Sequence, residues 1–449
     1  MAKLFGTDGI RGKANQYPMD GALVFSVGQA LAYVLRTRNP QPRILIGRDT
    51  RISGPMLESA LSAGIMSMGG APLLAGILPT PGIAFMTRKA GAHAGVVISA
   101  SHNPYQDNGI KIFSADGFKL SDSDEETIEG LALGQDLKTR LPSAGNLGCS
   151  FALEDAQRRY VDFLKSTFSR DLSMKGVKIV LDTANGATHR VAPDVFDEMG
   201  ALVHVIHDRP DGMNINDHCG SQHTEDLEKE VVAMGAPIGL AFDGDGDRLI
   251  AVDEKGRKLT GDQILVICAK VMKDLGSLRN NLLVTTVMSN LGLRMACKKH
   301  GFHHHASKVG DRYVLEEMQR LDAILGGEES GHMIFLDHHT TGDGLLAALQ
   351  LIGAMVRTGK PLSELAGWMD LYPQQLINVS VKSKPDISTV PEIAAVIAQV
   401  EKDLGEHGRV LVRYSGTEAL CRVMVEGPTE EITQRHCSRI AETVKRILG

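Results

Sequence analysis

Val96-Val97-Ile98-Ser99-Ala100-Ser101-His102-Asn103-Pro104 carries an apolar run directly into two hydroxyls and an imidazole. The Asn-Pro pair turns the backbone away from any continuing strand or helix. An open α/β sheet presents its ligand-binding groups in this way, at the carboxyl ends of its strands. Taken alone, Ser-Ala-Ser-His also fits an ordinary turn, because Ser and Asn-Pro are common turn residues. The reading is decided by what surrounds it.

On the amino side the chain alternates. Met19 to Leu35 has the period of an amphipathic helix, and Arg43 to Gly47 reads as a buried strand opening onto Arg48-Asp49-Thr50-Arg51. Ser53 to Met68 is helical by period. Ala71 to Leu78 is a second strand, and a helix through Arg88 precedes the strand quoted above. Strand, helix, strand, helix, strand predicts a parallel α/β layer. The first residues, Phe5-Gly6-Thr7-Asp8-Gly9-Ile10-Arg11-Gly12, read as a glycine-rich turn with Arg11 in a tight loop. On the carboxyl side, Asn108 to Gly117 reads as a hairpin strand with an Asp-Gly turn, and Lys111 faces away from Ile110 and Ile112.

The same grammar returns twice. Val177 to Asp182, Leu202 to Ile206 and Ile238 to Phe242 are three strands separated by helices, and the third opens onto Asp243-Gly244-Asp245-Gly246-Asp247-Arg248. Leu282 to Val287 starts a further round, which passes through the Ser307-Lys308-Val309-Gly310-Asp311-Arg312 loop and ends at Gly327-Glu328-Glu329-Ser330-Gly331-His332. The repeat is one of architecture, not of residues, with a period of about a hundred. From about Tyr372 the pattern changes to half-exposed strands flanked by helices, a small α+β domain. The expected fold is therefore α/β: three similar mixed-sheet domains at 1–150, 151–253 and 254–368, and a C-terminal α+β domain at 369–449, around a central cleft.

Composition narrows the function classes. A chain of 449 residues exceeds one core, so roughly three or four domains are expected. The net charge of −6 argues against a nucleic-acid partner. The six cysteines include no Cys-x-x-Cys pair, which excludes a disulfide framework and a zinc ribbon. The opening Met1-Ala2-Lys3-Leu4-Phe5 is not a signal peptide, and no apolar run reaches membrane-spanning length. The expectation is a cytoplasmic protein without a membrane partner. The sequence leaves a homodimer open.

The loops define the chemistry. Asp243, Asp245 and Asp247 alternate with glycines, which lets the backbone curl and the carboxylates converge. Three anions that close repel unless a cation sits among them, and hard oxygen ligands favour magnesium or calcium. An EF-hand is excluded, because Arg248 stands where that loop needs glycine. Three carboxylates leave room for an outside oxygen, and a phosphorylated serine can supply one; spacing does not choose between Ser99 and Ser101. Glu328, Ser330 and His332 alternate along what reads as one extended loop, and carboxylate with hydroxyl suits sugar hydroxyls. Arg413-Tyr414-Ser415-Gly416-Thr417 has the parts of a phosphate cradle, with Arg422 as a second cation. It is not a nucleotide P-loop.

Taken together, Phe5 to Gly12, Ser99 to Pro104, Asp243 to Arg248, Gly327 to His332 and Arg413 to Thr417 resemble the α-D-phosphohexomutase superfamily over essentially the whole chain. Within it, the opening motif and the chain length look like the bacterial branch acting on glucosamine phosphates. The resemblance implies that Ser101 carries a phosphoryl group and, with Asp243, Asp245 and Asp247, binds one magnesium ion per chain. It implies that Arg11, His102, Lys111, Arg248 and His332 surround the transfer site. It assigns Glu328 and Ser330 to the sugar hydroxyls, Lys308 and Gly310 to substrate binding, and Arg413, Ser415, Gly416, Thr417 and Arg422 to the phosphate not in transfer. The implied partner is a small phosphosugar. The implied reaction interconverts glucosamine 6-phosphate and glucosamine 1-phosphate through glucosamine 1,6-bisphosphate, supplying UDP-N-acetylglucosamine for cell-wall synthesis. The alternative within the superfamily is a phosphomannomutase or phosphoglucomutase.

Overall fold

The computed structural model describes residues 4–6, 8–134, 136–415 and 419–449. The chain forms two compact units. One comprises Met1–Val287 and Phe302–Gly367; the other comprises Met288–Gly301 and Trp368–Gly449.

The first unit holds three mixed sheets. The first contains β1 (Ile10–Lys13), β2 (Arg43–Arg48), β3 (Ala71–Ile77), β4 (Ala94–Ile98), β5 (Asp107–Ser114) and the short β6 (Phe151–Ala152), in the order β1-β5-β4-β2-β3-β6. The second contains β7 (Lys178–Asp182), β8 (Leu202–Ile206), β9 (Ile238–Phe242), β10 (Leu249–Asp253) and β11 (Lys258–Leu259), in the order β11-β10-β9-β7-β8. The third contains β12 (Leu282–Thr286), β13 (His303–Ser307), β14 (Leu325–Gly327) and β15 (Met333–Phe335), in the order β13-β12-β14-β15.

One plan underlies all three. The first strand of each round lies between the second and the third, parallel to both. A following strand then returns antiparallel beside the third. The third strands β4, β9 and β14 are buried along their whole length. Parallel strands covered on both faces are built from continuous small and branched apolar residues, as in Ala-Gly-Val-Val-Ile and Ile-Gly-Leu-Ala-Phe. Each therefore delivers its polar loop from the interior of a sheet.

Helix ends are set locally. Asp20 accepts from the N–H groups of Ala22 and Leu23 at 3.0 Å and starts the helix Gly21–Arg36. Thr260 and Gln263 form a reciprocal capping box at the head of Gly261–Asp274.

One expectation is corrected here. Residues 10–13 form an edge strand, with Arg11 opposite Gly109 of β5, where the sequence reads as a turn throughout. The turn lies before it, where the Gly6 N–H donates to the Gly9 carbonyl at 2.9 Å. Four residues, one of them Gly12, are too few to show an alternation, so the ladder with β5 decides their conformation.

The second unit contains the helix Leu291–His300 and a sheet of β16 (Gln374–Ser380), β17 (Arg409–Tyr414) and β18 (Leu420–Glu426), antiparallel in the order β16-β18-β17. The helices Pro391–Leu404 and Glu430–Leu448 cover it, burying Ile393, Val400, Cys437, Ile440 and Val444 against Val423 and Val425. This is the expected α+β arrangement.

In the first unit, the helices Ala156–Thr167 and Gly344–Thr358 are joined by a buried polar contact. Tyr160 donates its hydroxyl to Asp343 Oδ2 at 2.8 Å, and Asp343 Oδ1 caps the second helix through the Leu346 N–H at 3.0 Å. Burial pushes the Asp343 carboxyl up to about 7, against the pull of these two hydrogen bonds. A carboxyl raised in the folded state favours folding at low pH and loses that contribution as pH rises from its unfolded value to about 7. Denaturant titrations should show wild type losing stability against Asp343→Asn at about 1.4 kcal/mol per pH unit between about pH 4 and about pH 7, and no further loss above that.

Candidate active site

The loops that end β4 and β9 meet. Ser101 Oγ donates to Asp243 Oδ2 at 2.5 Å, and both groups are buried. Ser99, the other hydroxyl of its loop, points the opposite way. Its Oγ donates to Asp49 Oδ2 at 2.5 Å and accepts from the Ser101 N–H at 3.0 Å. Geometry thus separates the two serines that spacing could not. Ser101 has a φ of +51°, which costs an L-residue about 1–2 kcal/mol. That backbone turns its hydroxyl towards the carboxylates. Gly244 makes the approach feasible: a Cβ there would lie 2.7 Å from the Ser101 carbonyl oxygen.

The three carboxylates converge. Asp243, Asp245 and Asp247 are buried and each offers an oxygen within 4.8 Å of the others. Lys111 projects from β5 into the group. Its Nζ lies 3.5 Å from Asp245 Oδ2, 3.3 Å from Asp247 Oδ2 and 3.4 Å from Asp8 Oδ2. Burial alone would lower the Lys111 pKa, but Asp8, Asp245 and Asp247 hold it well above the usual range. Burial likewise works to raise Asp245, yet Lys111 and a 2.7 Å hydrogen bond from Thr80 Oγ1 bring it to about 2. Asp243 is raised, by burial first and then by Asp245 and Asp247. One ammonium does not balance three carboxylates. Asp245 Oδ1 and Asp247 Oδ1 are buried with no hydrogen-bond donor among the described residues. Converging hard oxygens with lone pairs to spare fit a divalent cation of the magnesium or calcium class.

Around this centre stand the other expected groups. His102 Nδ1 lies 3.3 Å from Ser101 Oγ; burial, then Arg248 and Arg11, push the ring to about 4, so it is neutral near pH 7. Arg11 donates to the Ala100 carbonyl at 3.0 Å and pairs with Asp8. The Arg248 N–H donates to Asp243 Oδ1 at 3.2 Å, and its guanidinium lies 3.8 Å from Asp247 Oδ1. A cleft of about 720 Å³ opens beside them, lined by Asp8, Asp247, Arg248, Gly310, Glu328 and His332 among others. Glu328 Oε1 accepts from the Gly310 N–H at 3.1 Å, which ties together two loops expected to bind substrate. Lys308 is exposed, with its Nζ 5.7 Å from the centre of the Tyr313 ring.

The chain's similarities bear on this site. The sequence profiles described as phosphoglucomutase/phosphomannomutase match in order: α/β/α domain I at residues 2–138, domain II at 158–256, domain III at 260–372 and the C-terminal domain at 376–443. The chain belongs to the phosphoglucomutase/phosphomannomutase family. A phosphoglucosamine mutase from Syntrophobacter fumaroxidans is 65% identical over 449 residues, all of both chains. Among solved structures, a phosphoglucomutase/phosphomannomutase family protein from Burkholderia thailandensis superposes with a TM-score of 0.80 at 22% identity, covering 99% of this chain and 97% of that one. The N-acetylphosphoglucosamine mutase of Aspergillus fumigatus, solved with GlcNAc-6P and magnesium, gives 0.71 at 17% identity over 99% and 95%. These two establish the shared phosphohexomutase fold.

One expectation about the loop after β14 is corrected. Residues 328–332 are not extended. The Glu328 N–H donates to the His332 carbonyl at 2.9 Å, closing a turn at Gly331, whose φ is +94°. Glu328 is half-buried, Ser330 exposed and His332 buried, so the three do not share a face by alternation. The signal was Gly331, which lets the chain fold back.

Three side chains of the site carried no expectation. Asp8 bridges Lys111 and Lys119, and Lys119 reaches Asp311 Oδ2 at 2.5 Å. His332 Nε2 lies 3.7 Å from the same Asp311 oxygen. Asp8 lay in a motif already singled out and Asp311 in the quoted Ser307–Arg312 loop, though neither was given a role; Lys119 had no local mark. In the second unit, Arg413 and Arg422 stand opposite each other on β17 and β18, and Lys384 Nζ donates to the Ser415 carbonyl at 2.7 Å. Gly416 and Thr417 lie outside the described residues.

Magnesium should raise the protein's thermal stability. At a hundred times its dissociation constant the gain is about 2.7 kcal/mol. A melting curve with magnesium against one with chelator measures it, and Asp245→Asn should abolish most of the difference.

Proposed function

We infer that the chain is a phosphoglucosamine mutase, which interconverts glucosamine 6-phosphate and glucosamine 1-phosphate by way of glucosamine 1,6-bisphosphate and a phosphorylated Ser101. The observation that carries this reading is Ser101 Oγ set 2.5 Å from Asp243 within the buried carboxylate cluster. The 65% identical phosphoglucosamine mutase, aligned along the whole chain, supports the choice of sugar.

Phosphoryl transfer needs alignment and charge neutralisation more than covalent rearrangement. The P–O bond to Ser101 Oγ breaks as a sugar hydroxyl oxygen bonds to phosphorus, and the proton of that hydroxyl passes to a base in the cleft. Reversal from the other end of the bisphosphate restores phosphorylated Ser101 and releases the isomer. Lys111, kept protonated by Asp8 and the carboxylates, supplies fixed positive charge to the transferring group. Arg11 and Arg248 add to it. His102 and His332 flank the same atoms.

We assign one divalent cation, magnesium, to Asp243, Asp245, Asp247 and a phosphoseryl oxygen. Bound there, magnesium neutralises charge on the phosphoryl oxygens. The fungal relative solved with magnesium supports that choice of ion. Glu328 and Ser330 take the sugar hydroxyls, and Lys308 and Gly310 bind the substrate beside them. Arg413, Ser415, Gly416, Thr417 and Arg422 take the phosphate not in transfer. The proposed domain boundaries are 1–150, 151–253, 254–368 and 369–449. A cytoplasmic location follows from the same reading, since its substrate is a metabolic sugar phosphate.

Ser101→Ala should lower turnover between the two monophosphates by about three orders of magnitude or more, with bisphosphate present. Intact-mass measurement should find one phosphate on wild type, localised to Ser101, and none on the variant. Full turnover by the variant would exclude the covalent route. Comparing kcat/KM on the 1-phosphates of glucosamine, glucose and mannose tests the sugar, with glucosamine expected to lead.

A further inference from the structure

The loop after β2 holds the most completely paired buried cation among the residues around Ser101. Arg51 is 0% exposed. An arginine has five N–H donors, and here each has an acceptor. Nε donates to Asp49 Oδ2 at 2.8 Å. One terminal nitrogen donates to the carbonyls of Pro104 and, at 3.0 Å, Asp107. The other donates to the carbonyls of Ser101 at 3.0 Å and Asn103 at 2.8 Å. Four of the five bonds therefore grip the backbone of the serine loop, and the fifth closes on an acid that also receives Ser99 Oγ.

A second residue reaches two of the same carbonyls. Asn216 Nδ2 donates to Ser101 O at 2.8 Å and to Asn103 O at 3.0 Å. It comes from the segment that follows β8, beside the sheet whose third strand carries the aspartates. The Arg51 loop is itself fastened to that region, through Thr50 Oγ1 to Asn185 O at 2.6 Å and the Ile52 N–H to Gly212 O at 2.9 Å.

We propose that Arg51 and Asn216 are positioning residues for phosphoryl transfer. Together they clamp the Ser101 and Asn103 carbonyls, hold Ser101 at positive φ and so keep its oxygen registered on Asp243. Neither touches the reacting atoms. The clamp matters for the chemical step because a phosphoseryl group carries close to two negative charges, which push against the carboxylates of the site. A loop free to relax moves the phosphorus out of line, and a displacement of about 1 Å costs roughly a hundredfold in rate. Substrate contacts do not pass through either residue, so the loss falls on kcat and not on KM.

This inference rests on the mutase reading, and its test separates the two. Asn216→Gly is the primary variant, because Asn216 is half-buried and its φ of +58° suits glycine. Arg51→Lys, with three donors for five acceptors, is the second. For variants that melt like wild type, kcat should fall roughly ten- to a hundredfold with KM within about twofold. Hydrogen exchange followed by mass spectrometry should show faster exchange in the peptide spanning residues 99–107 and unchanged exchange elsewhere. Wild-type kcat in Asn216→Gly, or a fall matched by a rise in KM, overturns the proposal. So does unchanged exchange in that peptide, a readout that needs no turnover. A wild-type protein that fails to interconvert the glucosamine phosphates overturns the mutase reading instead, and the exchange data still decide the clamp. If Arg51→Lys does not fold, Asn216→Gly alone decides.

Discussion

Three carboxylates at the end of one buried strand are the constraint on which the first unit depends. Asp243, Asp245 and Asp247 follow β9 with only glycines between them, and all are shielded from water. Their own loop supplies one cation, Arg248, 3.8 Å from Asp247, and the remaining partners come from elsewhere. Lys111 arrives from β5, Thr80 from the helix after β3, and the Ser101 hydroxyl from the loop after β4. Burial of like charges is tolerated only where opposite charge and hydrogen-bond donors are brought in. The docking of the first sheet against the second supplies part of that charge and hydrogen bonding and assembles the site in one arrangement, with Asp245 Oδ1 and Asp247 Oδ1 left for a cation.

The repeated topology explains why those loops are the ones that meet. In each sheet the third strand lies between the first strand and an antiparallel return. It is interior, so its end is positioned by neighbours on both sides. Loops at such ends vary in chemistry without disturbing the layer beneath them. One sheet thus presents a serine, the next a set of aspartates and the third a glutamate, on the same framework.

Much of this was legible in the chain. Buried strands of β-branched residues announce themselves by composition, and the helices by their period. The alternating aspartates and glycines point to a cation wherever they are placed. Less visible were contacts made at a distance. β1 is four residues long and exists because β5 pairs with it. The turn at Gly331 replaced an extended loop, because a single glycine at positive φ reverses the chain. Lys119 and Asp311 are 192 residues apart and nothing local pairs them, yet they form an ion pair at 2.5 Å in the site.

The sequence by itself determined the class of fold, the three-fold repetition, the acidic cluster and the family resemblance, since these depend on local period, spacing and residue chemistry. Only the tertiary structure decided which serine faces the acids. Ser99 and Ser101 are equivalent in spacing, and a two-residue step in an irregular loop has no fixed direction. The difference comes from Asp49, which holds the Ser99 hydroxyl, and from the positive φ of Ser101, which turns the other hydroxyl to Asp243. Direction in a loop is set by what the loop packs against, and those partners lie 50 and 142 residues away.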